Sequence, residues 1–217
     1  MINAEYERSL RTAVINACQR MVSSKLVYGT AGNVSIRVGD RILISPSSVP
    51  YSELTPELIC EVGLDGSVPA GQRAKASSEV PLHLELYRNS DAAAVVHAHS
   101  AAAVAAGLVT DEIPAIHYMI RQFGGPVRVA DYATFGSADL ASLVSQAIHG
   151  RTAALMRSHG LVVYAADLGA ALAGCEQLEW LCDVYLRARA AGPIIATLDT
   201  DELTVVADAA TQRGYRL

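Results

Sequence analysis

Two histidines stand two residues apart in an otherwise apolar run, Val95-Val96-His97-Ala98-His99. Side chains two apart on a strand point to the same face of the sheet, so this spacing sets two imidazoles side by side. Polar rings buried on one face must each find a partner. A divalent cation shared between them is one solution; a pair of hydrogen-bonded core histidines is the plainer one. His159 is followed by Gly160, which lets the backbone turn closely. Three histidines would leave a fourth tetrahedral position open, the feature that separates a catalytic zinc from a structural one. Nitrogen donors without cysteine suit zinc, with manganese, cobalt and iron still open. The residues by themselves do not decide the third ligand, since His83 and His117 compete with His159. His149 stands alone and reads as a surface or capping residue.

The second feature is Ser77-Ser78-Glu79, with Pro81 close behind. A serine N-cap, an acidic first turn and an early proline predict a helix running to about Asn89. Free N–H groups and the positive end of the dipole favour an anion there, and the serines add hydroxyls. One short stretch could thus supply phosphate donors and a carboxylate, although an ordinary capped helix has the same signature. Gly32-Asn33 and Ser47-Ser48 are further candidate anion sites, each with an ordinary loop as its alternative. His83 lies four residues after Glu79, on the same helix face. Buried packing is the expected role, with orientation of the carboxylate as the alternative.

The elements that must position these groups are legible in the periodicity. Apolar residues at Leu10, Val14, Ala17, Cys18, Met21 and Val22 predict an amphipathic helix over roughly residues 3–24. A turn-rich loop, Gly29 to Asn33, leads to strands over roughly 34–38 and 41–45, joined by Gly39-Asp40 as a hairpin turn. Further strands are expected at roughly 59–62, 95–99, 153–156 and 161–164, the last two flanking Ser158-His159-Gly160. An alanine-rich helix follows His99, and the segment Ile116 to Ile120 reads as a loop. Ser137 caps a helix; a long helix spans roughly 168–190, and a last one begins near Asp201. Hairpins mixed with helices predict one three-layer α/β/α domain over the whole chain, with a mixed, largely antiparallel sheet.

Bulk properties narrow the classes. The 217 residues suffice for a core without disulfides, and 51% hydrophobic against 18% charged residues describe a soluble globular protein. A net charge of -5 and no basic run argue against nucleic acid. Lys25 and Lys75 are the only lysines, which leaves little room for Schiff-base chemistry. Cys18, Cys60, Cys175 and Cys182 form no CxxC pair; the last two, seven apart on one helix face, read as small core residues. Glu5, Arg8 and Arg11 interrupt any leader-like apolar run, and no stretch is apolar enough to span a membrane. The expected compartment is the cytoplasm.

Several segments occur in a telling order: Thr30-Ala31-Gly32-Asn33-Val34-Ser35, Ile44-Ser45-Pro46-Ser47, Ser77-Ser78-Glu79, Val96-His97-Ala98-His99, Ile113 to Ile120, Tyr132-Ala133-Thr134-Phe135-Gly136 and Ser158-His159-Gly160-Leu161. Taken together they resemble the class II aldolase and ribulose-phosphate 4-epimerase superfamily, over nearly the whole chain. Ile113 to Ile120 and Tyr132 to Gly136 favour its fuculose-phosphate branch over the epimerases.

The resemblance implies a C4 homotetramer with active sites between subunits. It implies a divalent metal, zinc, on His97, His99 and His159, with Glu79 able to ligate when the site is empty. Gly32, Asn33, Ser47, Ser48, Ser77 and Ser78 would hold a phosphate. Glu79 would be the general base and Tyr118, reaching into a neighbour's site, the proton donor. The implied reaction is cleavage of a ketose 1-phosphate to dihydroxyacetone phosphate and a small aldehyde through a metal-stabilised enediolate. Sister activities on the same scaffold are 4-epimerisation of a sugar phosphate and dehydration of a methylthioribulose phosphate. The adducin head, a non-catalytic interaction module, is the reading from a different class. The chain departs from the family at Ser48, where glycine is usual, and at Ala76, where proline is usual. A left-handed Ser48 would cost about 1 kcal/mol. The tail carries one aromatic residue, Tyr215, where the fuculose branch has several, which leaves aldehyde specificity open.

Overall fold

The computed structural model describes residues 3–214. Its centre is an eight-stranded sheet in the order β3-β2-β1-β4-β8-β7-β6-β5. The strands are β1 (Asn33–Val38), β2 (Arg41–Ile44), β3 (Cys60–Gly63), β4 (Ala94–Ala98), β5 (Glu112–Ile113), β6 (Val127–Ala130), β7 (Ala153–Met156) and β8 (Gly160–Ala165). β6 and β7 run parallel, and every other neighbouring pair is antiparallel. The sheet is therefore mixed and largely antiparallel, as expected. Gly39 turns the β1–β2 hairpin at φ 65°, a left-handed conformation that glycine adopts without steric cost.

Helices cover both faces because the central strands are apolar along their length and successive side chains point to opposite faces. Ala94, Val96, Leu155, Leu161 and Val163 enter one core with buried residues of α1 (Ala4–Ser23), α3 (Ala101–Val109) and α5 (Leu168–Ala191). Val95, Ala154, Met156 and Val162 point the other way, into a second core with α2 (Val80–Asn89) and α4 (Ala138–Ala147). α6 (Thr200–Gln212) ends the described chain and opens with a reciprocal capping box between Asp199 and Glu202. The segment read as a loop after Ile116 contains a 3-10 helix, Tyr118–Phe123, started by His117, whose ring nitrogen accepts from the Met119 N–H. Ser137 caps α4 as expected, accepting from the Leu140 N–H. All four cysteines are buried and unpaired. No described helix is long and apolar enough to cross a membrane.

Candidate metal centre and active site

The site grows from the middle of the sheet. β4 lies between β1 and β8, so His97 is wholly buried and its ring must be satisfied from within. Its Nδ1 donates to the Leu161 carbonyl oxygen at 2.8 Å. That bond sets the tautomer: Nε2 keeps a bare lone pair, 2.8 Å from His99 Nε2. His99 sits one residue past the end of β4, its own N–H donating to the Leu26 carbonyl. His159 stands in the turn between β7 and β8, where its N–H donates to the Met156 carbonyl.

The turn is built differently from what Gly160 suggested. The left-handed residue is Ser158, at φ 55°. Gly160 is needed for proximity: a Cβ there would lie 2.1 Å from the Ala98 carbonyl oxygen. Gly32 plays the same part on the other side, at φ 76°, where a Cβ would meet the His97 carbonyl oxygen at 2.7 Å.

The three rings form a nearly equilateral triangle, with centroids 4.7, 4.8 and 4.7 Å apart and interplanar angles of 63 to 86°. One ring nitrogen from each lies within 4.8 Å of the others. Burial first, and then its two neighbouring histidines, hold His97 well below the ordinary imidazole pKa. Burial also lowers His99, and burial and then His99 bring His159 down to about 4. Three neutral imidazoles with converging nitrogens are a donor set that fits a divalent cation. His83 and His117 stay outside this group.

Glu79 is buried, and its Oε2 has no hydrogen-bond partner among the described residues. The expected serine cap is not what the structure holds. Glu79 itself occupies the N-cap of α2 with no side-chain cap bond, and its N–H donates to Ser77 Oγ at 3.2 Å. The serine hydroxyl accepts this bond in a tight local turn, and the helix starts at Val80. The Glu79 carboxylate is thereby left free of a capping duty. Burial raises its pKa above the ordinary carboxylate value, opposed by the Gly136 backbone N–H. Glu79 is not among the three mutually close metal donors.

Most of the proposed phosphate donors lie on segments that hydrogen bonds bring together. Val34 N–H donates to Ser45 Oγ and Ser45 N–H to the Val34 carbonyl. Ser77 N–H donates to the Ser45 carbonyl and Ser47 N–H to the Lys75 carbonyl. Gly32-Asn33, Ser47-Ser48 and Ser77-Ser78 are therefore carried on three adjacent stretches. Ser48 has φ 61°, the left-handed conformation that the usual glycine would adopt without strain. Tyr51 steadies the first stretch by donating its hydroxyl to the Gly32 carbonyl at 2.7 Å.

Tyr118 lies elsewhere. It is 44% exposed, with its ring stacked on His117, which meets Trp180 edge-on. Among the described residues, no hydrogen bond or ring contact joins it to Glu79 or the three histidines. Tyr215 lies outside the described residues.

Some participants were not singled out from the sequence. His83 does not orient Glu79: its ring nitrogens face Asn33 and Ser35, and no hydrogen bond links it to the Glu79 carboxylate. Ser35 follows Asn33 by two on one strand face, and Tyr87 follows His83 by four on one helix face. That double periodicity was the available signal. The Leu161 carbonyl and Tyr51 gave no such signal.

A mixed sheet with helices on both faces, carrying three converging histidines and a buried carboxylate, defines an α/β domain with a donor set that fits a divalent cation. Residues 12–186 match the family described as Class II Aldolase and Adducin N-terminal domain, and the chain belongs to it. It is 37% identical over 210 residues to the L-fuculose phosphate aldolase of an Escherichia coli O6:H1 strain, covering 96% of this chain and 97% of that one. It is also 37% identical over 185 residues to the 5-deoxy-D-ribulose 1-phosphate aldolase of Bacillus thuringiensis, covering 84% and 86%. A solved L-fuculose 1-phosphate aldolase shares its fold with a TM-score of 0.89 at 30% identity, over 97% of this chain and 98% of that chain.

Proposed function

We propose that residues 1–217 act as one aldolase domain that cleaves a ketose 1-phosphate to dihydroxyacetone phosphate and a small aldehyde. L-fuculose 1-phosphate, giving L-lactaldehyde, is the first substrate to test. The observation that carries this is the triangle of neutral imidazoles, in a chain of this family that also holds a buried carboxylate, Glu79, with an unpartnered oxygen. His97, His99 and His159 would hold zinc, with Glu79 as a further ligand when no substrate is present. The cation would supply Lewis-acid polarisation of the substrate carbonyl.

The chain's own groups account for the proton movements. In the synthetic direction, Glu79 takes a proton from the carbon next to the ketone of dihydroxyacetone phosphate, and burial gives it a basicity suited to that task. The electron pair left on that carbon forms the new bond to the aldehyde, and Tyr118 of a neighbouring copy protonates the resulting alkoxide. Cleavage reverses each transfer: Tyr118 receives the hydroxyl proton, the C–C bond breaks, and protonated Glu79 returns its proton to carbon. The exposed position of Tyr118, with no ring contact to His97, His99 or His159 of its own chain, supports a homotetramer with sites between subunits. The stretches carrying Gly32, Asn33, Ser47, Ser48, Ser77 and Ser78 would hold the phosphate. Buried unpaired cysteines support a reducing, cytoplasmic setting.

The Bacillus relative, at equal identity, favours a second substrate for the same chemistry, 5-deoxy-D-ribulose 1-phosphate. The intact histidines and Glu79 speak against a purely structural module. The deciding experiment incubates the purified metalloprotein with L-fuculose 1-phosphate, 5-deoxy-D-ribulose 1-phosphate, L-ribulose 5-phosphate and methylthioribulose 1-phosphate, before and after chelation. Chelator-sensitive release of dihydroxyacetone phosphate from either of the first two is the expected result. Conversion of only the third or fourth moves the assignment to an epimerase or a dehydratase, and no turnover of any moves it to a binding module.

A further inference from the structure

A chain of buried polar groups runs from α2 through β1 to the candidate phosphate site. Tyr87 OH lies 2.8 Å from Ser35 Oγ, Ser35 Oγ lies 2.6 Å from His83 Nδ1, and His83 Nε2 lies 2.5 Å from Asn33 Oδ1. All four residues are buried, and His83 is wholly so.

The proton positions follow from the chemistry of the two ends. Asn33 Oδ1 can only accept, so His83 Nε2 carries the proton and Nδ1 keeps its lone pair. Ser35 must then donate to Nδ1, and it accepts in turn from the Tyr87 hydroxyl. Running the chain backwards would leave the Tyr87 hydrogen buried with no acceptor among the described residues. Burial keeps the His83 ring neutral, lowering its pKa to about 3.

The consequence falls on Asn33. Its carbonyl oxygen is taken by His83, while its Nδ2 group makes no hydrogen bond among the described residues. Asn33 sits beside Gly32 and opposite His97 in the β1–β4 ladder. We infer that His83, locked by Ser35 and Tyr87, is a positioning residue that fixes the Asn33 carboxamide with its N–H donors toward a substrate phosphate. With the carboxamide reversed, its carbonyl oxygen would face the anion and repel it. This inference rests on the sugar-phosphate reading of the site.

The test titrates the metal-loaded protein with inorganic phosphate and measures KM and kcat for the cleaved sugar phosphate. His83→Leu is expected to weaken phosphate binding about 10-fold, the effect of losing one well-aligned hydrogen bond to a charged group. KM should rise by a similar factor while kcat changes less. His83→Gln places an amide N–H near the Nε2 position and should bring the affinity back to within about 3-fold of wild type. A merely structural His83 would lower the melting temperature and leave the folded protein's phosphate affinity unchanged. Unchanged affinity in folded His83→Leu overturns the inference, as does a glutamine variant no better than leucine.

Nitrogen-15 NMR of histidine-labelled wild type, with the signal assigned by its loss in His83→Gln, keeps the test open if the leucine variant does not fold. A neutral Nε2–H ring at His83 supports the inference, and an Nδ1–H ring or a cation overturns it. Wild type that binds no phosphate overturns the sugar-phosphate reading itself. Wild type that binds it, with unchanged His83→Leu, overturns the positioning role alone.

Discussion

Replacing Gly160 with alanine would put a methyl carbon 2.1 Å from the Ala98 carbonyl oxygen, 3.1 Å from the Ala98 carbonyl carbon and 3.2 Å from His99 Cα. A carbon and a carbonyl oxygen tolerate an approach of roughly 3.3 Å, so β8 and the end of β4 must separate by about 1 Å. The obstacle is backbone rather than a flexible side chain, so no rotamer change relieves it. His99 and His159 flank this contact, and the displacement therefore falls on the spacing of two of the three imidazoles. Forcing one extra carbon into packed surroundings costs about 1–3 kcal/mol, which lowers the melting temperature of a chain this size by about 2–12 °C. Metal sites accept ligand errors of only about 0.2 Å, and disturbing ligand orientation costs about 10–100-fold in affinity. Zinc competition against a chromophoric chelator should show at least a 10-fold loss for Gly160→Ala. Gly107→Ala is the matched control, because its new Cβ would find its nearest neighbour at 3.7 Å, an ordinary contact. Wild-type zinc affinity in folded Gly160→Ala would refute the reasoning that this close approach holds the triangle together.

The remaining predictions concern the groups around it. His97→Ala should end stoichiometric metal binding, measured by elemental mass spectrometry on dialysed protein; undiminished metal content refutes the three-histidine site. Glu79→Gln should retain the metal yet lose at least about 100-fold in turnover, the usual scale for a positioned general base. Turnover near wild type removes Glu79 from that role. Tyr118→Phe should slow aldol cleavage more than isotope exchange at the carbon of dihydroxyacetone phosphate, and equal losses argue against proton donation by the phenol. His83 stays neutral in the fold down to about pH 3, whereas in the unfolded chain it takes a proton below about 6.5. The unfolded state thus binds more protons in that window, so stability falls as pH falls from 6.5, by about 1.4 kcal/mol per unit for this one group. Urea denaturation at pH 7 and pH 5 should therefore show an acid-side loss about 2 kcal/mol smaller in His83→Gln than in wild type. Equal losses would show that His83 is protonated in the folded protein.

Much of this protein was decided by local spacing. The i, i+2 placement of His97 and His99 required a shared strand face, and the continuous apolar run before them fits a strand covered on both sides. Gly39-Asp40 announced its hairpin, and Ser137 its helix. Each of these depends on a few consecutive residues and on backbone geometry that varies little among proteins. The order of the motifs along the chain carried the family, because seven short segments in sequence are far more specific than any one.

Other assignments needed the folded chain, since they join residues far apart in sequence. His83, His117 and His159 were equal candidates for the third imidazole on residue type; only the β7–β8 turn brings His159 to the other two. The tautomer of His97 depends on a carbonyl 64 residues away, at Leu161, which no side-chain pattern reveals. Ser77 looked like a helix cap, but in the structure its hydroxyl accepts from the Glu79 N–H, and Oε2 of the Glu79 carboxylate has no partner among the described residues. Gly160 looked like a turn residue, and its task is a close approach to Ala98, a contact between strands rather than within one. His83 shared a helix face with Glu79, yet the packing of α2 on the sheet turned it toward Asn33 and Ser35. Sequence thus determined which groups were available and which face each would take. Tertiary packing decided which of them meet, because a partner for a buried polar atom is chosen by the nearest unsatisfied group in space and not along the chain.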